Sequence, residues 1–317
     1  MPWAKKIIAS HTQNFLRIFV YHRFSHHGVS GRVRLSEFSW QLDQLQKGSW
    51  VVLPLRGYLE SRNQLAPHQN VVILTIDDGY QDFYQIAYPE LKRRNIPATF
   101  FVTTDFIDGE IWLWPDRIRY ALDHGKSGGA VSLGTTVIPL VLSTPSERAR
   151  IWQRIVRYCT HVSDVTREYV IKELEQQCQV QLPKTIPDEF APTSWEQIRE
   201  MEANGIEIGS HTRRHPILSQ VEPEMLGEEI SGSKQILEER LRKSVATFCY
   251  PNSMPEDITN EVVAAVKTAG YKGAVHGVIP NSEDCYRLSR MGVSDDRVDF
   301  LWKLYGLEAL FLSKESI

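Results

Sequence analysis

The sequence predicts an α/β fold in which a parallel sheet is covered by helices, and two observations lead to this prediction. Short apolar runs alternate along the chain with segments whose apolar residues recur at helical spacing. The runs are apolar throughout rather than at every second position, as expected for parallel strands buried on both faces. The composition, 42% hydrophobic and 24% charged over 317 residues, is that of an ordinary globular protein.

Six apolar runs are predicted as strands, at residues 16–21, 71–76, 98–103, 206–209, 245–250 and 273–275. Five segments between them are predicted as helices, at residues 36–46, 84–94, 195–203, 223–241 and 258–269. Ser36 is predicted to cap the first of these helices. Gly205 and Gly270 follow two others, at the position where a glycine usually ends a helix.

Residues 105–193 break this alternation of strands and helices. Two short β-rich runs on either side of Gly134 predict a hairpin, and a charged helical region follows from residue 146 to 179. Pro183, Pro187 and Pro192 indicate where the chain returns to the main fold. We interpret the stretch as an insertion within a single domain that spans residues 1–317.

An apolar segment near the carboxyl end, residues 299–312, predicts a helix that packs on the main fold or closes a dimer. It is too short to span a bilayer, so contact with a membrane surface is the alternative. The chain has no run of 18 apolar residues, and its first 20 residues make a poor secretory signal. We therefore expect a cytoplasmic location.

Charge and cysteine content exclude some classes of partner. The net charge is −3, without the basic excess that nucleic-acid binding requires. The four cysteines, Cys159, Cys178, Cys249 and Cys285, include no CxxC pair and predict neither a disulfide framework nor a cysteine zinc site.

The first chemical motif is the pair Asp77-Asp78, which comes directly after the apolar run at 71–76. Two adjacent carboxylates at the end of a buried strand are costly unless a cation holds them. The carboxyl ends of parallel strands are also where α/β proteins bind ligands. Taken alone, however, Asp-Asp-Gly is a weak signal, and a turn that ends a strand is the favoured interpretation.

The second motif contains two histidines four residues apart, His211 and His215, again just after an apolar run. At this spacing the imidazoles lie on one side of a helical turn and can share an ion. A polar loop with two surface histidines is the simpler interpretation of this motif alone. Two histidines and one aspartate form the ligand set of many catalytic zinc sites, and they leave the second aspartate free as a base. Non-haem iron oxygenases use a similar set, but the order of the motifs here fits that class poorly.

Together these motifs resemble those of the polysaccharide deacetylases of carbohydrate esterase family 4. The sequence TIDDG at 75–79 is similar to the family's T-F-D-D-G, and HTRRHP at 211–216 matches its H-S/T-x-x-H-P. The resemblance covers roughly residues 20–293. It implies a distorted (β/α)7 barrel, one divalent metal ion that we expect to be zinc, and hydrolysis of N-acetyl groups from an amino-sugar polymer or oligomer. It also implies that Asp77 is the base and that Asp78, His211 and His215 hold the metal.

The third family motif, R-x-P-Y, is altered in this chain, where Cys249 stands at the position of the arginine. The stretch is more similar to the branch that resembles poly-N-acetylglucosamine deacetylases. Tyr250 and Asn252 are then the expected substrate and oxyanion contacts, the latter through its backbone N–H. Arg290, in the segment LSRMGV, is predicted to supply the missing cation.

The late histidine that serves the family as general acid is absent after residue 293. The same branch begins its catalytic domain with a Tyr-His strand end, which corresponds to Tyr21-His22 here. We predict that His22 is the general acid, with His276 as the second candidate.

The sequence therefore predicts a metal-dependent polysaccharide N-deacetylase. Two alternatives stay open: a hydrolase of the same fold that cleaves another C–N bond, and a catalytically inactive carbohydrate-binding homologue. Retention of both Asp77 and Asp78 argues against the inactive homologue, because a protein without catalysis has no need of a free base.

Overall fold

The computed structural model describes residues 16–66, 69–252, 254–277 and 284–306. Its strands are β1 (Arg17–Tyr21), β2 (Phe24–Ser25), β3 (Val33–Arg34), β4 (Trp50–Val52), β5 (Asn70–Ile76), β6 (Ala98–Val102), β7 (Ala130–Leu133), β8 (Thr136–Pro139), β9 (Ile206–Ser210), β10 (Thr247–Cys249), β11 (Gly273–His276), β12 (Leu288–Ser289) and β13 (Met291–Gly292).

The α-helices are α1 (Leu35–Lys47), α2 (Leu55–Ser61), α3 (Tyr88–Arg94), α4 (Thr104–Ile107), α5 (Trp114–His124), α6 (Pro145–Cys159), α7 (Asp164–Gln177), α8 (Trp195–Ala203), α9 (Pro223–Gly227), α10 (Ser233–Leu241), α11 (Asn260–Thr268) and α12 (Arg297–Leu304). Short π-helical turns at Phe83–Ala87 and Glu228–Gly232 lead into α3 and α10. Within the described residues, no helix is long and apolar enough to cross a membrane.

The central sheet is a parallel barrel with the strand order β12-β11-β10-β9-β6-β5-β1-β13. Its two ends are neighbouring parts of one stretch, since β12 and β13 are separated only by Arg290. β12 pairs with β11, and β13 pairs with β1, so the stretch 288–292 closes the barrel as its seventh strand position. This confirms the predicted (β/α)7 barrel. The small strand β4 pairs with the start of β5.

Alternate residues of each strand point into the barrel, and their chemistry changes from one end to the other. The middle is an apolar cluster that includes Ile18, Ile73, Phe101, Val275 and Leu288. On β9 the inward positions start at Glu207, near the amino end, and lead to His211, just past the carboxyl end. The outward positions pack beneath the helices in a larger core.

The strands and helices predicted before residue 299 are present, with differences at their ends that have physical causes. The predicted cap at Ser36 is wrong, because α1 already begins at Leu35, with Arg34 at the cap and no side-chain cap bond. The predicted helices at 84–94 and 223–241 each contain a π-helical turn, which apolar spacing does not reveal. The short strands of the stretch 288–292 were not predicted.

The insertion contains the predicted antiparallel hairpin, β7 and β8, and the helices α5, α6 and α7. Its buried side chains form a core of their own, separate from the barrel cores. Thr144 caps α6 through a reciprocal bond pair with Glu147, and Ser163 caps α7. The insertion thus has an independent packing centre, while the chain enters and leaves it beside the barrel mouth.

The final described helix, α12, packs on the barrel through Phe300 and Leu304, which are both buried. The ring of Phe300 lies 5.2 Å from that of Phe19 and 6.0 Å from that of Trp40, measured between centroids. The rest of the predicted tail helix, from residue 307 onward, lies outside the described residues.

Candidate active site

The end of β5 delivers Asp77 and Asp78 to the barrel mouth through a sharp turn. The Asp77 N–H donates to the carbonyl of Tyr21 at 3.0 Å, which continues the pairing with β1. Asp78 and Gly79 both have positive φ angles, of 79° and 112°. The φ angle of Gly79 favours glycine there, and a Cβ at this position would also displace the end of the Ile107 side chain, whose Cδ1 would lie 2.7 Å away.

The loop after β9 presents His211 and His215 and is fixed by buried acidic groups. Glu229, only 3% exposed, accepts bonds from the backbone N–H groups of Arg213 and Arg214, at 3.2 and 2.9 Å. The Arg213 side chain donates to both carboxylate oxygens of Asp105. These contacts hold the turn between the two histidines from both sides.

Asp78, His211 and His215 converge as the sequence predicts. The Nε2 atoms of His211 and His215 lie 3.4 and 3.3 Å from the same Asp78 oxygen, Oδ1. Ligands bound at ~2.1 Å to a tetrahedral ion lie ~3.4 Å apart, so the spacing of the three residues could hold one metal ion. His211 Nδ1 lies 2.9 Å from the carbonyl oxygen of Cys249, which directs its Nε2 toward Asp78.

Electrostatics within this cluster favour an ionised carboxylate. Burial would raise the pKa of Asp78, but hydrogen bonds from His211 and His215 hold it well below its ordinary value. Burial lowers the pKa of His215, which favours the neutral imidazole that can bind a metal. His215 Nδ1 is buried with no hydrogen-bond partner among the described residues.

Asp77 is held by Arg290 from the closing stretch of the barrel. The two guanidinium N–H groups donate to the two carboxylate oxygens, each at 2.7 Å, and both side chains are almost fully buried. Burial would raise the pKa of Asp77, but the charges of Arg290 and His211 outweigh it and lower the pKa. Arg290 also donates to the carbonyl of His276 and to the Thr75 hydroxyl, so its position is fixed from three directions.

The two histidines considered as acids lie in different surroundings. His22 follows β1, its side chain is 53% exposed, and its Nε2 is 3.8 Å from Asp77 Oδ2. His276 is 2% exposed, and its Nε2 lies 3.0 Å from the carbonyl oxygen of Arg287. Burial also lowers the pKa of His276. Of the two, His22 is therefore open to a ligand in the barrel mouth.

The altered third motif is located at the end of β10. Cys249 is fully buried, and its Sγ is 3.4 Å from Asp77 Oδ2, so the thiol and Arg290 share this carboxylate. The predicted Tyr250 contact is not supported, because its hydroxyl donates to the Tyr286 carbonyl and its N–H to the Val275 carbonyl. Asn252 is exposed at the mouth, and its side chain donates to Asp257.

Strained backbone is concentrated at this site. Of the seven non-glycine residues with positive φ in the described chain, four are Asp78, Thr212, His215 and Asn252. The other three, Asn95, Gln179 and Arg242, lie at or just beyond helix ends, where a left-handed residue is usual. Such conformations persist where surrounding contacts enforce them, and they cluster at functional sites.

A parallel barrel with an Asp-His-His cluster at the carboxyl ends of its strands defines a barrel protein with a candidate metal-binding site. Comparison with known proteins then identifies the family. The family model described as polysaccharide deacetylase matches residues 64–274, about two thirds of the chain. The chain belongs to the polysaccharide deacetylase family.

Two curated relatives match shorter segments. The YxkH protein of Bacillus subtilis strain 168, named for the polysaccharide deacetylases, is 34% identical over 113 residues, which cover 35% of this chain and 40% of the relative. A poly-β-1,6-N-acetyl-D-glucosamine N-deacetylase of Staphylococcus aureus is 31% identical over 98 residues, 31% of this chain and 34% of that protein. The matches thus span less than half of either relative.

Solved structures share the fold over most of the chain. The Streptococcus pyogenes deacetylase PplD, in complex with acetate, superposes with a TM-score of 0.60 and 19% identity over 92% of this chain and 99% of its own. IcaB from Ammonifex degensii gives a TM-score of 0.57 and 19% identity over 92% of this chain and 95% of its own. At this level of identity the likeness concerns the fold.

Proposed function

We propose that the protein is a metal-dependent hydrolase that removes N-acetyl groups from an amino-sugar polysaccharide or oligosaccharide. One observation carries the proposal: the Asp78-His211-His215 cluster lies beside a second carboxylate, Asp77, that a buried arginine keeps ionised. Membership of the polysaccharide deacetylase family and the similarity to a poly-N-acetylglucosamine deacetylase support this substrate class.

Asp78, His211 and His215 are the proposed metal ligands, and zinc is the expected ion because the set is two imidazoles and one carboxylate. A divalent ion held there polarises a carbonyl group and lowers the pKa of a water molecule toward ~7. The base, its orientation, the oxyanion contact and the acid would come from residues of the protein. Arg290 orients Asp77 through two parallel bonds, and Cys249 contacts the same carboxylate.

In this proposal Asp77 removes a proton from the attacking water, which adds to the acetyl carbonyl carbon. The backbone N–H of Asn252 is the proposed donor to the oxyanion that develops. His22, exposed at the mouth and 3.8 Å from Asp77, then donates a proton to the sugar nitrogen as the C–N bond breaks. The products are acetate and a free amino group on the sugar.

Acetate release from β-1,6-linked N-acetylglucosamine oligomers tests the proposal. The protein is stripped of metal with a chelator, and one portion is reloaded with zinc. We expect activity only after reloading. A fully loaded protein that releases no acetate from these oligomers or from N-acetylated chitin oligomers would contradict the proposed activity and favour the alternatives of another C–N bond or an inactive homologue.

The metal ligands are tested separately by His215→Ala, with His161→Ala, an exposed histidine on the insertion, as the matched control. Elemental analysis after zinc loading should show about one ion per chain fewer in His215→Ala than in the control. Equal metal content in the two variants would remove His215 from the ligand set.

A further inference from the structure

A cleft of about 350 Å³ opens between the barrel mouth and the insertion. This volume lies at the low end of the ~300–1,000 Å³ typical of small-molecule sites. Its inner end reaches Asp78 and Tyr80 beside the proposed metal site, and Arg32 lines the barrel side. We call it the insertion cleft. A ligand that occupies the insertion cleft therefore lies next to the position where the acetyl group would react.

The opposite wall of the insertion cleft consists of residues that no step of the proposed chemistry uses. Arg119 comes from α5, and Trp152 and Gln153 come from α6. The Trp152 indole is half-buried, packs against the insertion core, and donates its Nε1–H to the Pro115 carbonyl at 3.2 Å. These contacts fix the position of the indole in the cleft wall, while Gln153 is exposed beside it.

The charge balance of the insertion cleft favours a neutral ligand with hydroxyl groups. Three guanidinium groups line it, but each already has a carboxylate partner. Arg23 pairs with Asp82 at 2.6 Å, Arg32 with Glu189 at 3.0 Å, and Arg119 with Asp123 at 2.6 Å.

These pairs leave N–H groups of Arg119 without a partner among the described residues, since its Asp123 contact uses Nε. Such groups can donate to hydroxyl oxygens, but no surplus positive charge remains to select a phosphate or carboxylate. A sugar ring has both an apolar C–H face, suited to an indole, and a rim of hydroxyl groups, suited to guanidinium and amide groups.

We propose that the insertion cleft binds a sugar unit of the substrate. This sugar unit is the neighbour, in the same oligosaccharide, of the N-acetylated unit that reacts. The proposal rests on the proposed function, because it assumes an amino-sugar chain as the substrate. It assigns to the insertion the role of a substrate-binding wall, which makes the enzyme selective for oligomers over short substrates.

The test measures kcat/KM for acetate release from β-1,6-linked N-acetylglucosamine oligomers, from the disaccharide to the hexasaccharide. In the zinc-loaded protein kcat/KM should rise with length. Trp152→Ala should reduce the hexasaccharide-to-disaccharide ratio of kcat/KM by about tenfold, equivalent to about 1.4 kcal/mol of lost binding. Arg119→Ala should reduce it in the same direction. Tyr169→Ala, an exposed aromatic residue of α7 that does not line the cleft, should leave the ratio unchanged.

Because Trp152 also supports the insertion core, Arg119→Ala keeps the test decisive if Trp152→Ala folds poorly. Calorimetric binding of the hexasaccharide to these proteins gives a readout independent of turnover. If the protein releases no acetate but the hexasaccharide binds more weakly to Arg119→Ala than to wild type, the result would support sugar binding in the cleft. The same result would contradict the proposed activity. An active enzyme whose length dependence and oligomer affinity are unchanged in both cleft variants would overturn the proposal for the cleft alone, and absence of oligomer binding would overturn it as well.

Discussion

The barrel interior has a carboxylate near each end, and the surroundings of the two carboxylates shift their pKa values in opposite directions. Near the amino end, Glu207 accepts bonds from the hydroxyls of Thr99 and Thr247 and from the backbone N–H of Arg56. These partners are neutral, and burial raises the pKa of Glu207. At the carboxyl end, Asp77 receives two bonds from a buried guanidinium, and its pKa is lowered.

This difference separates a structural acid from one suited to chemistry. The bonds to Glu207 anchor the start of α2 under the barrel, and they work whether or not the carboxyl is fully ionised. Asp77 is kept ionised beside two histidines at an open mouth, so it can accept a proton from a ligand. The comparison teaches that the partner, rather than burial, decides what an enclosed carboxylate can do.

The largest expected effect comes from Asp77→Asn. The amide keeps the shape of the side chain but cannot accept the proton, so we expect kcat for acetate release to fall by about 10²–10⁴. Zinc content should stay at the wild-type level, because Asp78, His211 and His215 are unchanged. Elemental analysis and acetate assays on the same preparation check both points. Near wild-type turnover in Asp77→Asn would show that Asp77 is not the base.

Arg290→Gln tests the cation that holds Asp77 at the carboxyl end of the barrel strands. Removing one partner of a buried ion pair leaves an uncompensated charge, which typically costs about 3–5 kcal/mol of unfolding free energy. Denaturant unfolding of the metal-free protein measures the loss. The double variant Asp77→Asn/Arg290→Gln should recover part of it, since neither charge then lacks a partner. Additive losses in the double variant would mean that the two side chains do not depend on each other.

The smallest expected effect is that of Glu207→Gln, and it lies in the pH dependence of stability. A raised pKa in the folded state means that Glu207 favours folding at low pH and loses this contribution as the pH rises through that pKa. Glutamine resembles the protonated form, so the variant should gain stability relative to wild type as the pH rises.

Glu60→Gln is the matched control for Glu207→Gln, because hydrogen bonds from Lys272 and Arg56 lower the pKa of Glu60. Its stability relative to wild type should not rise with pH. Unfolding curves of the three proteins at several pH values make the comparison. A pH-independent difference for Glu207→Gln would show that this carboxyl is ionised as readily in the folded protein as in the unfolded one.

The sequence predicted the polar residues at the carboxyl end of the barrel strands better than those at the amino end, for a physical reason. Asp77, Asp78, His211 and His215 lie in contiguous motifs directly after strongly apolar strands, so strand ends and side chains could be located together. Glu207 is the one charged residue in a five-residue strand, and its partners come from distant segments. Nothing local to the sequence indicates that it is enclosed.

The stretch 288–292 shows a second limit of prediction from sequence. β12 and β13 have two residues each, too few to display a strand pattern. Arg290 was predicted to supply a cation on the basis of resemblance, but its two bonds to Asp77 depend on pairing with β11 and β1, which are distant in sequence. The insertion cleft was likewise not predictable, since its two walls are brought together only by the way the insertion packs against the mouth.

The closing stretch also sets an order of events for the growing chain. β1 is among the first described segments to be synthesised, but its partner β13 follows about 270 residues later. Until that partner emerges, β1 and β11 each expose an unpaired edge, the kind of surface that recruits strands from other chains. Asp77 meanwhile lacks the guanidinium that balances it. Barrel closure and assembly of the Asp77–Arg290 pair are thus one event, and a chain cut short before residue 288 is expected to lose both together.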